Sequence, residues 1–152
     1  MKKFLFLFFL LITNQNFAQL NTFTFEEAEI LSIENPKPFV IFIHTDWCKI
    51  CKMMENTTFK NQEILKELNR NFYFISFNAE TKIDINFNKY TFKFKPKGTN
   101  SGVHELAEEL SNQIYPTLTI LNSDYSILMQ IESFVNAKDL LQILQKTNQT
   151  NP

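Results

Sequence analysis

The sequence predicts an α/β domain, and three observations carry that expectation. FVIFIHT (39–45) and FYFISFNAE (72–80) are almost continuously apolar, aromatic or β-branched, as strands covered on both faces are. Segments with helix periodicity and helix caps alternate with such runs along the chain. The only two cysteines, Cys48 and Cys51, stand three apart directly after the first run and behind the only tryptophan, Trp47.

The chain has 152 residues. Lys2 and Lys3 precede an unbroken apolar run, Phe4 to Ile12, and polar residues lead to Ala18. This is the layout of a signal peptide, expected at 1–18 and cleaved before Gln19. The run is far shorter than the roughly 20 residues that span a bilayer. No cysteine directly succeeds it, so lipoprotein attachment has no support. Cleavage takes the formal charge from −1 to −3 by removing the two lysines. The mature chain, 19–152, is long enough for one domain with its own core. It has no basic stripe for nucleic acid and no later membrane span. The expected location is periplasmic or secreted, and the expected oligomeric state is a monomer.

TFEEAEILSIENPKP opens with a capping box, in which Thr24 caps and Glu27 reaches back. Phe25, Ala28, Ile30 and Leu31 would supply the apolar face of this helix, and Pro36 and Pro38 would end it. The first strand comes next, then the cysteines and a helix through Asn56. NTTFKNQ interrupts it, and Asn61 caps the next helix, which leads into the second strand. Later segments read as a helix (HELAEELS), two strands (PTLTILN and SILMQIESF) and a helix capped by Asn136. The tail after Lys146 reads as loose.

Between them, Ile83, Ile85 and Phe87 alternate on odd numbers, while Tyr90, Phe92 and Phe94 alternate on even numbers. A two-residue turn at Asn88-Lys89 explains the switch. It sets Phe87 opposite Tyr90, Ile85 opposite Phe92 and Ile83 opposite Phe94, on one apolar face of a hairpin inserted at about 82–102. Asp84, Asn86, Thr91 and Lys93 would then be exposed. KPKGTNSG reads as a flexible loop. A hairpin face of this kind more often covers its own core than a partner, although a lid or partner surface is the competing reading.

A dithiol at a helix start has a chemical logic. First-turn N–H groups and the helix dipole favour negative charge there. Cys48, partly exposed, would be the favoured thiolate, with Lys49 and Lys52 adding positive charge. Cys51 lies one turn on and within disulfide reach. Cys48 can attack a substrate disulfide, and Cys51 can then resolve the mixed disulfide. A structural bridge is the competing reading, but a bridge over so short a loop removes little unfolded-state entropy. A zinc site needs about four ligands, and only His44 and His104 could join the cysteines. His44 reads as a strand-end residue, and His104 as the start of a helix.

DWCKIC after FVIFIHT, together with YPTLTIL at the last two strands, resembles the thioredoxin superfamily. CKMMENTTFKNQEILKEL looks more like the periplasmic thioredoxin-like domain of transmembrane disulfide reductases than like a cytosolic thioredoxin. The resemblance implies a thioredoxin-like fold, with a central mixed sheet flanked by helices and the hairpin inserted. It implies a thiol–disulfide oxidoreductase whose redox centre is the Cys48–Cys51 pair, with no other cofactor and no metal. Cys48 would attack and Cys51 resolve. Trp47, Lys49 and Ile50, beside the dithiol, would contribute to substrate binding, and Tyr115 with a cis Pro116 would dock an extended substrate segment. Protein disulfides would be the substrates and a membrane thiol–disulfide carrier the electron donor. One position departs from the family. The buried carboxylate expected six residues before the first cysteine is Phe42 here, which leaves Glu80 or Glu55 as candidate replacements. A non-catalytic thioredoxin-like binding module with a structural disulfide is the alternative.

Overall fold

The computed structural model describes residues 19–99 and 101–150. The segment expected to be a cleaved signal peptide, 1–18, lies outside the described residues. The chain order is α1 (Phe25–Glu34), β1 (Phe39–His44), α2 (Lys49–Asn56), a 3-10 turn (Thr58–Lys60), α3 (Gln62–Asn71), β2 (Tyr73–Asn78), β3 (Ile85–Phe87), β4 (Tyr90–Phe92), β5 (Phe94–Pro96), β6 (Gly102–His104), α4 (Glu105–Leu110), β7 (Thr117–Leu121), β8 (Ile127–Ile131) and α5 (Ala137–Thr150).

Every residue of β1 is buried, as its place inside the sheet requires. The four-stranded order is β2-β1-β7-β8. β1 runs parallel to β2, with Phe42 beside Ser76 and His44 beside Asn78. It runs antiparallel to β7, with Ile43 beside Thr117. This is the mixed sheet flanked by helices that the sequence led us to expect.

Alternation along β1 divides the interior in two. Phe39, Ile41 and Ile43 pack with Phe25 and Ala28 of α1, Phe77 of β2, Ile85 and Phe87 of β3, and Leu106 of α4. Val40 and Phe42 pack on the other side with Cys48 just before α2, Cys51 and Met54 of α2, Ile64 and Leu68 of α3, and Leu140 and Leu144 of α5. The dithiol is therefore part of one core layer.

The helix caps sit where the sequence placed them. Thr24 and Glu27 form the capping box, Asn61 accepts from Glu63 N and Ile64 N, and Asn136 accepts from Asp139 N. The face of α1 differs from expectation. Phe25, Ala28 and Ser32 point inward, whereas Ile30 and Leu31 are 66% and 43% exposed. With Phe25 and Ala28 both docked on the sheet, the helical repeat turns Ile30 to the far side. α5 also continues to Thr150, beyond the point where the sequence reads as loose.

The hairpin pairs Ile85 with Phe92, Asn86 with Thr91 and Phe87 with Tyr90. Asn88 and Lys89 both have positive φ, 50° and 68°, the backbone of a tight two-residue hairpin turn. Asp84, Asn86, Thr91 and Lys93 are all exposed, as the register requires. The expected third rung does not form. Phe94 pairs with His104 instead, and Ile83 is 74% exposed. The expected loop at KPKGTNSG contributes to a second ribbon, β5-β6. Gly102 permits its close approach, because a Cβ there would collide with the Phe94 ring and the Lys95 carbonyl.

The hairpin covers the domain's own core on its β3 side. Phe87 is buried against Phe25, Phe39 and Tyr125, at ring distances of 5.0, 5.8 and 5.1 Å. Carboxylates of α1 hold its backbone. Glu26 accepts from Asn86 N at 2.7 Å and Glu29 from Asn88 N at 2.9 Å. The β4 side is looser, for Phe92 is half-buried and Tyr90 is exposed. No helix among the described residues is long and apolar enough to cross a membrane.

Candidate functional site

The chain leaves β1 at His44, turns through Thr45, Asp46 and Trp47, and enters α2 at Cys48. Cys48 N donates to Thr45 O at 3.2 Å, which closes the turn. Cys48 is the N-cap residue of α2, and its sulfur accepts from Cys51 N at 3.1 Å. A thiolate at this position would meet a donor already aimed at it. Cys48 and Cys51 form a disulfide, with Cα atoms 5.2 Å apart.

Both cysteines are more enclosed than the sequence suggests for an attacking thiol. Cys48 is 5% exposed and Cys51 is fully buried. The residues around them are open. Trp47 is 65% exposed and Ile50 47%, and Lys49 is also at the surface. Lys52 is tied to Glu55 at 3.0 Å, which offsets its charge near the dithiol.

The loop before β7 borders the same site. The Tyr115–Pro116 peptide bond is cis. β7 begins one residue later and pairs Thr117 with Ile43 at the end of β1. This register sets Pro116 beyond the last rung, on the side of the sheet end where β1 feeds the dithiol turn. The Trp47 and Tyr115 rings meet edge to face at 6.1 Å. Burial raises the Tyr115 hydroxyl above its usual pKa, with Glu80 and Glu108 adding to the shift, so it stays a neutral donor at physiological pH. The structure thus brings Trp47, Cys48, Cys51, Tyr115 and Pro116 to one end of the sheet.

Glu80 and Glu55, the candidate replacements for a buried acid, occupy other places. Glu80 accepts from the Trp47 indole Nε1 at 3.0 Å and so steadies the exposed ring. Glu55 pairs with Lys52 on the surface of α2. Phe42 lies in the same core layer as the two cysteines and packs against Phe59 at 4.9 Å.

His44 ends β1 and packs there, as its place at the end of an apolar strand predicts. Its ring stacks on Phe42 at 5.3 Å, and its Nε2 hydrogen-bonds with Ser76 Oγ at 3.1 Å. Burial lowers its pKa, while Glu55 pulls it up, Lys52 pushes it down and Asp46 pulls it up by successively smaller amounts. His44 is the only titratable residue on β1, and it shares the face of Phe42. His104 lies elsewhere, caps α4 through Leu106 N and hydrogen-bonds with Ile83 O. Among the described residues no group of three or more His, Cys, Asp or Glu side chains could hold a metal ion.

A family model described as a thioredoxin-like domain matches residues 25–148. No curated protein sequence matches significantly. Among solved structures, a DsbH oxidoreductase aligns with a TM-score of 0.64 at 14% identity, over 91% of this chain and 92% of that one. A thioredoxin from Thermus thermophilus aligns with a TM-score of 0.62 at 16% identity, over 85% and 87%. The C-terminal domain of DsbD from Neisseria meningitidis, in its reduced form, aligns with a TM-score of 0.52 at 21% identity, over 78% and 89%. At these identities the structural likeness is one of fold.

Proposed function

The chain belongs to the thioredoxin-like domain family, and from that membership we propose that it is an exported thiol–disulfide oxidoreductase that reduces protein disulfides. The observation that carries this reading is the disulfide at the N-terminus of α2, directly after the central strand and beside the cis Tyr115–Pro116 loop. A dithiol placed there can cycle. In the reduced protein, Cys48 attacks a substrate disulfide and forms a mixed disulfide, while one substrate thiolate leaves. Cys51 then attacks Cys48, the second substrate thiolate leaves, and the Cys48–Cys51 disulfide closes. Two electrons pass to the substrate. Trp47, Lys49 and Ile50 border the attacking sulfur, and the backbone at Tyr115 with Pro116 pairs with an extended substrate segment.

The redox pair itself serves as the active group, with no further cofactor and no metal. The leader-like segment 1–18 supports export to the periplasm or beyond, with cleavage leaving a single domain at 19–152. In an oxidising compartment the dithiol must be re-reduced, so a membrane thiol–disulfide carrier is the proposed electron donor. The protein works as a monomer on protein disulfides and not on nucleic acid.

A non-catalytic binding module is the second reading. It is favoured by the near-complete burial of Cys48 and by Phe42 in place of an acid. A redox titration separates the two. A cycling dithiol is expected between about −270 and −120 mV, and a structural bridge below about −300 mV. A potential in the lower range would overturn the enzymatic reading. In the same test Cys51→Ser is expected to accumulate mixed disulfides through Cys48, and Cys48→Ser to form none. Wild-type turnover by Cys51→Ser would refute the assigned roles.

A further inference from the structure

Only two buried side-chain polar atoms among the described residues lack a hydrogen-bond partner, His44 Nδ1 and Thr45 Oγ1. They are consecutive, at the end of the strand that feeds the dithiol. Buried polar atoms are otherwise almost always paired, so an orphan at such a place asks for a reason. His44 is 9% exposed. Its Nε2 is engaged by Ser76 Oγ. With the ring proton on Nε2 and directed at Ser76, Nδ1 is a free lone-pair acceptor inside the core.

The packing indicates which group Nδ1 can serve. His44 is on the same face of β1 as Val40 and Phe42, the face that packs against Cys48 and Cys51. The groups acting on its charge from the neighbouring helix are Lys52 and Glu55, the residue after Cys51 and the fourth after it. From the turn it feels Asp46, and the Thr45 backbone makes the smallest contribution. From β2 it meets the uncharged Ser76. A titratable ring therefore stands on the face of β1 turned to the layer of the two cysteines, within electrostatic reach of α2, and β1 carries no carboxylate on that face.

We infer that His44 accepts the proton that Cys51 must shed before it can resolve a mixed disulfide. The inference rests on the dithiol cycle proposed above. The Cys51 thiol gives its proton to His44 Nδ1, directly or across one water, and becomes a thiolate. The thiolate attacks the Cys48 sulfur, the bond between Cys48 and the substrate sulfur breaks, and the substrate leaves as a thiolate. The imidazolium then returns its proton to that thiolate or to solvent. Ser76, the partner of His44 Nε2, lines a cleft of about 280 Å³ together with Phe42, Glu55 and Lys60, so the hydrogen bond of the ring ends at an opening in the surface.

The test uses 5,5′-dithiobis(2-nitrobenzoate) on the reduced protein. Cys48 releases a first thionitrobenzoate as it forms the mixed disulfide, and Cys51 releases the second as it resolves it. His44→Gln keeps a polar side chain of similar size but cannot take a proton. The second release is expected to slow by roughly a hundredfold at neutral pH and to lose the inflection set by the histidine, with the first release unchanged. Equal rates and superimposable pH profiles would overturn the inference.

A measurement on wild-type protein covers the case in which His44→Gln does not fold. The chain has two histidines, so His104 is an internal control with partners remote from the dithiol. In the reduced protein the His44 ring carbon shift is expected to gain an alkaline step as Cys51 ionises. The step should be absent from the oxidised protein and from Cys51→Ser, and present in Cys48→Ser. A single identical His44 curve in both redox states would also overturn the inference. Insulin reduction by wild type separates this idea from the wider one. Insulin reduced with an unchanged His44→Gln profile removes the proton acceptor alone. Insulin untouched with a His44-dependent second release removes the proposed enzyme function alone.

Discussion

Truncating Phe87 to alanine is expected to cost about 3–5 kcal/mol of stability. The ring is 4% exposed and touches three aromatic rings from α1, β1 and the loop before β8. A buried aromatic ring removes roughly 150–200 Å² from water, and at about 25 cal/mol per Å² that is about 4–5 kcal/mol as an upper bound. The two routes agree. The loss is large beside the roughly 5–15 kcal/mol that typically holds a domain together. Tyr90, directly across the hairpin, is 66% exposed, so Tyr90→Ala should cost at most about 1.7 kcal/mol by the same area argument. Phe92, half-buried, should fall between them. Urea denaturation monitored by fluorescence would measure all three, with the slope checked for constancy. Reduction of a small generic disulfide should persist wherever the variant stays folded. An unchanged midpoint for Phe87→Ala would refute the reasoning and recast the hairpin as a surface for a partner.

Lys89 holds a positive φ of 68°, which costs a side-chain-bearing residue about 1–2 kcal/mol. Lys89→Gly should therefore raise the denaturation midpoint by an amount equivalent to about 1 kcal/mol, and a lowered midpoint would contradict the turn geometry. Burial lowers the pKa of both His44 and His104. The folded protein then holds fewer protons than the unfolded chain, so their contribution is complete above about pH 6.5 and is lost as pH falls through the lowered values. Denaturation midpoints should drop across that acid window, and a flat profile would count against it. The helix-start position of Cys48 should bring its thiol below the free value of about 8.5, which the pH dependence of alkylation would report. A midpoint at or above that value would remove the reactive-thiol argument.

Local chemistry made much of this fold legible in advance. Thr24, Asn61 and Asn136 announce helix starts because their side chains serve the next turn, whatever packs around it. The parity switch at Asn88-Lys89 disclosed the register of β3 and β4 for the same reason. The misreadings share a cause, which is partners distant in sequence. Phe94 belongs by pattern to the hairpin, yet His104 claims it across a polar segment with no alternation to betray a strand. Ile30 and Leu31 look like a helix's inner face, but where Phe25 and Ala28 dock on the sheet decides which side is inner. At the site, the dithiol and Pro116 were readable from short motifs. The engagement of Glu80 by Trp47 and of His44 by Ser76 were not, since each joins residues more than thirty positions apart.

The two-sided burial of β1 makes residue parity an address for evolutionary change. A substitution at Phe39, Ile41 or Ile43 is felt first by α1, the hairpin and α4. One at Val40, Phe42 or His44 is felt first by the layer that houses the two sulfurs. A lineage could thus tune robustness through odd positions and redox behaviour through even ones on a single six-residue strand, each drifting with little reference to the other.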